Sequence, residues 1–222
     1  MDYMKTIPDK YFNLAVVDPP YGINADKFGN GSNLGGRGKS TSRRLNQGSG
    51  KLKNRILNQS NCSWDTKPPP KEYFQELFRV SQNCVIWGGN YFDLPPTRCV
   101  VVWDKMQPWE NFSQVEIAWT SFDYPANLFQ YCNAGGQRDG EQKIHPTQKP
   151  IALYDYILKT FAKPGDKIFD SHLGSGSSRI AAHNAGFDFV GCEIDEQYFK
   201  AQEERFQKYS AQTNLFLDYT EE

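Results

Sequence analysis

The last third of the chain carries the pattern that most restricts its fold. Lys167-Ile168-Phe169-Asp170 is a short apolar run closed by an acid, and a loop with Gly174 and Gly176 follows it. Next come a helical stretch reaching Gly186, a second apolar run Phe189-Val190-Gly191-Cys192 closed by Glu193, and a helix from about 196 to 211. Strand, loop, helix, strand, helix is a parallel crossover unit, because parallel strands cannot be joined by a tight turn. The fold class is therefore α/β, a mostly parallel sheet with helices on both faces and ligands at the carboxyl ends of its strands.

The front of the chain extends this reading. Asn13-Leu14-Ala15-Val16-Val17 is an apolar run stopped by Asp18-Pro19-Pro20, as expected of a buried strand whose ladder proline cannot continue. Pro68-Pro69-Pro70 opens a helix with Tyr73, Phe74, Leu77 and Phe78 at helical spacing. Three further strands are expected at Cys84-Val85-Ile86-Trp87, Cys99-Val100-Val101-Val102-Trp103 and Val115-Glu116-Ile117-Ala118-Trp119. The stripe Ile151, Leu153, Tyr154, Ile157, Leu158, Phe161 predicts a helix over 149–162. With 222 residues, no internal repeat and no linker, 1–222 reads as a single domain.

Charge is unevenly spread. Residues 23–63 hold eight basic side chains (Lys27, Arg37, Lys39, Arg43, Arg44, Lys51, Lys53, Arg55) and the acid Asp26, a net of +7 in a chain of formal charge -1, which leaves -8 elsewhere. Rich in Gly, Ser and Asn, this stretch reads as a mobile loop, either a solvated surface or a set of phosphate contacts. Cys62, Cys84, Cys99, Cys132 and Cys192 are odd in number and without a C-x-x-C pair, and His145, His172 and His183 are scattered. No disulfide framework and no metal are expected. No apolar run has the length of a membrane span, and the first residues lack a secretory pattern, so a cytoplasmic protein is expected.

The glycine loop suits a nucleoside. Gly174 and Gly176 let backbone approach a ligand, and Glu193, 23 residues after Asp170, can accept hydrogen bonds from ribose hydroxyls. Arg179 stands where a dinucleotide fingerprint needs its third glycine, which argues against a pyrophosphate and for a cofactor such as S-adenosylmethionine.

Asp18-Pro19-Pro20-Tyr21 offers a matching chemistry. The Asp18 carboxylate and Pro19 carbonyl can each accept one N–H of an exocyclic amine, and Tyr21 provides a ring for stacking on its base. Asp18-Pro-Pro-Tyr-Gly22, His145-Pro-Thr-Gln-Lys-Pro150, Phe169-Asp-Ser-His-Leu-Gly-Ser-Gly176 and Gly191-Cys-Glu-Ile-Asp195, in that order, resemble the DNA amino-methyltransferases of the permuted group. The resemblance implies a Rossmann-like methyltransferase fold, S-adenosylmethionine as donor, DNA as partner, and adenine N6 or, less often, cytosine N4 as acceptor. It places Asp18, Pro19, Pro20 and Tyr21 in catalysis. It puts Asp170, Gly174 and Gly176 at the cofactor's methionine, Glu193 at its ribose, and His145, Thr147 and Lys149 near its carboxylate. By itself Lys149 reads as an exposed lysine at a helix start. Arg37, Lys39, Arg43, Arg44, Lys51, Lys53 and Arg55 become DNA contacts.

Departures from the pattern are definite. Ser171-His172 stands where the family has Pro-Phe, an adenine-binding strand is expected to be missing or replaced upstream, and the interval 123–144 leaves little room for a target-recognition region. A DNA-binding relic and an RNA or protein-glutamine methyltransferase are the alternatives; the latter generally carry Asn where this chain has Asp18. Gln212-Thr213-Asn214-Leu215-Phe216 resembles a sliding-clamp docking peptide, while Leu215-Phe216-Leu217 reads equally as an added edge strand. Oligomeric state is left open.

Overall fold

The computed structural model describes residues 1–23, 63–106, 113–132 and 143–217. Among them, β1 (Phe12–Val17), β2 (Ser81–Trp87), β3 (Val100–Asp104), β4 (Val115–Thr120), β5 (Asn127–Gln130), β6 (Lys167–Asp170) and β7 (Asp188–Gly191) form one sheet. Its order is β5-β3-β4-β2-β1-β6-β7. Only β4 opposes its neighbours; the β1–β2, β1–β6, β6–β7 and β3–β5 pairs are parallel. The helices are α1 (Asp2–Lys5), α2 (Lys71–Val80), α3 (Ile151–Phe161), α4 (Ser177–Asn184) and α5 (Glu196–Leu217). None of the described helices is long and apolar enough to cross a membrane.

Both faces of the sheet are covered, which explains why its central strands are continuous apolar runs. Leu14, Val16, Val85 and Trp87 pack into one layer with α3 and α4 residues such as Leu153, Ile157 and Ile180. Ala15, Val17, Cys84 and Ile86 face the opposite layer, against Tyr73, Phe74, Leu77 and Val80 of α2. Proline sets the start of two helices: Pro70 and Pro150, both extended, precede α2 and α3. At the far end of α2 the Arg79 guanidinium donates to the carbonyls of Met4 and Ile7 at 2.8 and 2.9 Å, tying α1 to the body of the fold.

The topology creates the site. From β1 the chain proceeds to β2 on one side, and from β6 to β7 on the other, while β1 and β6 are paired through Leu14 with Ile168 and Ala15 with Phe169. Their carboxyl ends therefore flank a switch point, where a crevice opens in sheets of this kind. Asp18 leaves one of these strands and the glycine loop the other.

Two sequence expectations change, and a third falls outside the described residues. β5 lies inside the interval 123–144, which contains a strand as well as connection; its residues alternate between half-buried and exposed, so no apolar run announced it. α5 runs to Leu217 and not to about 211, and Leu215-Phe216-Leu217 is helical backbone, which excludes the edge strand. Extending an existing helix adds one hydrogen bond per ordered residue, whereas crossing to a sheet edge requires a new loop closure. The basic side chains Lys27 to Arg55, and with them every expected DNA contact, lie outside the described residues.

Candidate active site

Asp18 follows the last residue of β1, and each of its carboxylate oxygens has a donor. The Tyr21 hydroxyl donates to Oδ1 at 2.7 Å and the Lys149 ammonium to Oδ2 at 2.5 Å. Pro19, between them, is buried. Lys149, immediately before Pro150 and α3, is not exposed: 4% of its side chain is accessible, and it also contacts Glu116 Oε2 at 3.1 Å. Glu116 in turn pairs with Lys105, which directly follows β3. Register places Glu116 of β4 opposite Trp103 of β3, bringing this carboxylate to the Asp18 side of the sheet.

These contacts set the charges. Burial raises the Asp18 carboxyl above its usual range, with Lys149 opposing the rise. Burial also acts to raise Glu116, but the Lys149 and Lys105 ammonium groups outweigh it and hold the group at about 2. Burial works against the charge on Lys149, yet Asp18 and Glu116 overcome it and the ammonium is strengthened.

The Tyr21 ring is held in place as firmly as its hydroxyl. Tyr91 stacks on it at 4.9 Å with 13° between the planes, and Phe92 meets it edge-on at 6.1 Å. Gly88, at φ +71°, permits this arrangement, since a Cβ there would collide with the Tyr21 ring. Beyond Tyr21, the Gly22 amide donates to the buried Asp65 carboxylate at 2.8 Å.

Across the switch point the glycine loop is organised by two acids. Asp170, buried at the end of β6, accepts the His172 amide at 3.0 Å and the Ser178 hydroxyl at 2.6 Å. Its burial raises it to about 7. Glu193 accepts the Gly174 amide at 2.7 Å and the Asp195 amide at 2.9 Å, joining the loop to the end of β7, and burial raises its carboxyl as well. Both Gly174 and Gly176 adopt the positive φ that their type allows. The His145 ring lies 3.7 Å from where a Gly174 Cβ would stand and packs on Tyr198 at 4.3 Å. Burial and then the neighbouring Lys143 and Lys149 lower His145 to about 3, so it is neutral. Thr147, exposed, contacts His145 Nδ1 through Oγ1 at 3.2 Å.

Ser171 and His172, the unexpected pair, are fixed from α2. Ser171 Oγ lies 2.7 Å from the Tyr73 hydroxyl and 3.0 Å from His172 Nδ1. Burial lowers His172 to about 4, so this ring is also neutral. The three residues line a cavity of about 360 Å³ with Tyr3, Phe169, Cys192 and Pro20.

Thus Asp18, Pro19 and Tyr21 stand on one side of the switch point, and Asp170, Gly174, Gly176, Glu193 and His145 on the other. Lys149 belongs to the Asp18 side. Sequence reasoning missed Glu116, Lys105, Tyr91, Tyr73 and Asp65 as site residues. A legible signal existed for the first, a charged residue inside an apolar strand.

A mostly parallel α/β sheet with an acid and a glycine loop facing each other across its switch point defines a Rossmann-like protein whose candidate ligand site lies at that point. The chain belongs to the DNA methylase family, which it matches over residues 86–204. It is 26% identical over 153 residues to the Type II methyltransferase M2.DpnII of Streptococcus pneumoniae, covering 69% of this chain and 52% of that one. It is 36% identical over 70 residues to the putative methylase YubD of Escherichia coli (strain K12), covering 32% of this chain and 31% of that one. The chain therefore spans about half the length of the first of these curated relatives and about a third of the second. Its fold is shared with the M1.HpyAVI–SAM complex (TM-score 0.53, 17% identity, 91% of this chain and 92% of that one). The cytosine-N4-specific PvuII DNA methyltransferase shares it too (TM-score 0.54, 14% identity, 97% and 89%).

Proposed function

We propose that this chain is a site-specific DNA methyltransferase, with its motifs in permuted order, that transfers a methyl group from S-adenosylmethionine to the exocyclic N6 of adenine. The observation that carries the reading is Asp18, a carboxylate with raised basicity held beside an ammonium at the switch point. Asp18 and the Pro19 carbonyl accept the two N–H groups of the amine and draw its lone pair out of conjugation. Pro20 lines the adjoining cavity, and Tyr21, backed by Tyr91, provides the stacking ring. An amine inside the duplex cannot be aligned with a methyl donor, so the base is extruded first, and stacking on Tyr21 offsets part of the cost. Proximity and alignment supply most of the rate.

The residues across the switch point fit the cofactor. Gly174 leaves backbone open, Glu193 keeps lone pairs beyond the backbone amides it accepts, and neutral aromatic and histidine rings line the cavity. Asp170, Gly174 and Gly176 would hold the methionine part and Glu193 the ribose, with His145 and Thr147 beside them. When bound, the cofactor supplies an electrophilic sulfonium methyl. The basic stretch 23–63 is assigned to DNA phosphates, and Gln212–Phe216, on the last turns of α5, to a sliding clamp. Deleting 212–222 should remove clamp binding and leave stability unchanged.

The test is transfer of labelled methyl from S-adenosylmethionine to unmethylated DNA, followed by nucleoside analysis. N6-methyladenine is expected, and Asp18→Ala should bind cofactor without transferring methyl. N4-methylcytosine would move the acceptor, retained activity in Asp18→Ala would remove the mechanism, and DNA binding without cofactor binding would leave a relic.

A further inference from the structure

Four charges run in line away from the Asp18 loop: Asp18, Lys149, Glu116 and Lys105. Lys149 gives its hydrogen bond to Asp18, at 2.5 Å, and a longer one to the Tyr21 hydroxyl at 3.3 Å. It also approaches Glu116 Oε2 at 3.1 Å, so one buried ammonium is shared between two carboxylates, with the shorter contact to Asp18. A buried ammonium held unequally by two carboxylates can shift toward either one as the charge of the other changes. The ammonium cannot turn to water: Trp87 and Tyr21 rings flank it at 5.5 and 5.7 Å.

The balance of methyl transfer, on which this inference rests, changes the charge on one of these two carboxylates. The nitrogen lone pair forms the N–C bond, the C–S bond breaks with its electron pair left on sulfur, and the nitrogen must then shed one proton. Asp18, already accepting an N–H of that amine, is the nearest base. Once Asp18 is protonated, Lys149 loses the nearer of its two carboxylates and Glu116 is the counter-ion that remains, without which a buried ammonium is strongly unfavourable. A small rotation toward Glu116 Oε2 keeps it paired throughout.

We propose that Glu116 is a positioning residue for proton removal, taking over Lys149 as Asp18 accepts the proton of the amine, with Lys105 anchoring Glu116 for the exchange. The ionisable groups that face Asp18 are Tyr21 of its own loop, Lys149 ahead of α3, Tyr154 of α3, Glu116 of β4 and Asp170 of β6. Burial makes Asp18 a better base, Lys149 opposes this, and Glu116 reinforces it. Glu116 itself, at about 2, is charged at any working pH and ready to receive the ammonium.

Glu116→Gln preserves shape and removes the charge. S-adenosylmethionine binding, measured by calorimetry, should be unchanged. The single-turnover rate on DNA should fall about tenfold or more, within the range of proton-transfer effects. The acid limb of its pH profile should move to lower pH, because a negative charge that raises Asp18 is gone. Lys105→Met, which removes a positive charge, should move that limb the opposite way. An E116Q enzyme with wild-type rate and limb overturns the proposal, and so does a slower enzyme whose limb has not moved, since that is what a merely structural role gives. If the wild-type protein transfers no methyl, the functional reading itself fails and takes this one with it; a wild type that transfers beside an indistinguishable E116Q sinks this one alone.

Discussion

Lys149→Met keeps the length of the side chain and removes its charge, so it isolates what the ammonium does. The side chain is 4% exposed and lies 2.5 Å from Asp18. Glu116 keeps Lys105 in the variant, so Asp18 is the group left buried without a counter-ion. Removing one partner of a buried pair costs about 3–5 kcal/mol, of which the low end suits a site with some access to water. Burial already raises Asp18 above its unfolded value, and Lys149 is the largest opposing influence, so the variant raises it further. A carboxyl with a folded pKa above its unfolded one binds more protons when folded. Its favourable contribution is complete below the unfolded pKa and is lost as pH rises through the folded pKa. The deficit relative to wild type should therefore be about 3 kcal/mol at pH 8, roughly 6–12 °C in Tm for a chain of this size, and shrink toward pH 4. Denaturant melts across that range, with S-adenosylmethionine binding measured on the same samples, make the assay. A deficit that does not change with pH, or one under about 1 kcal/mol, would refute the reasoning. Retained cofactor binding is expected, because Lys149 contacts Asp18 and Glu116 and not the glycine loop.

Three further outcomes are expected. Gly88→Ala places a Cβ against the Tyr21 ring at a positive φ; about 1–3 kcal/mol of stability should be lost, with DNA binding weakened and cofactor binding spared, as melts and titrations would register. Asp170→Asn removes a carboxyl held at about 7, so the wild-type loss of stability as pH rises from 5 to 8 should flatten in the variant, by at most about 1.4 kcal/mol per pH unit. Neutralising Arg43, Arg44, Lys51 and Lys53 together should lower the slope of log K for DNA against log salt by about 0.9 per lost phosphate contact, and an unchanged slope would make the stretch an ordinary solvated surface.

The sheet was legible where its strands are buried on both faces. Runs such as Val16-Val17 and Val85-Ile86-Trp87 have few other uses, and each is a strand. β5 escaped because a strand at the sheet edge with an exposed side needs no apolar run, and its residues Asn127 to Gln130 are half polar. Motif residues were legible for a similar reason: prolines that stop a strand and glycines at a strand–helix turn mark positions where backbone is constrained. Their partners were not, because Glu116, Lys105, Tyr91 and Tyr73 reach the site only through strand register and helix packing. Lys149 shows the limit most clearly. A lysine before a proline reads as exposed, and only the pairing of β1 with β2 and of β2 with β4 brings two carboxylates to it.

The electrostatics of the glycine loop bear on what it can hold. The first turn of a helix preceded by a glycine loop ordinarily attracts phosphate, through free amides and the positive end of the helix dipole. Here the loop is flanked by Asp170 and Glu193, whose raised carboxyls show that they already sit in an environment unfavourable to negative charge. Glu193 takes the Gly174 amide, and Asp170 takes the His172 amide. Arg205, a cation able to draw an anion, is engaged by the Ser175 carbonyl at 2.7 Å and the Ser177 hydroxyl at 3.0 Å. His145 and His172 are neutral. A diphosphate would therefore meet two acids and few available donors, whereas a cofactor with a cationic methionine part would relieve Asp170 and offer Glu193 the neutral hydroxyls of a ribose. On that argument cofactor binding should weaken as pH falls through about 7, where Asp170 is protonated, and a nucleotide competitor should bind poorly at any pH. Titration of S-adenosylmethionine and of ATP across pH 5.5 to 8.5 checks both; tight ATP binding would reverse the assignment of the loop.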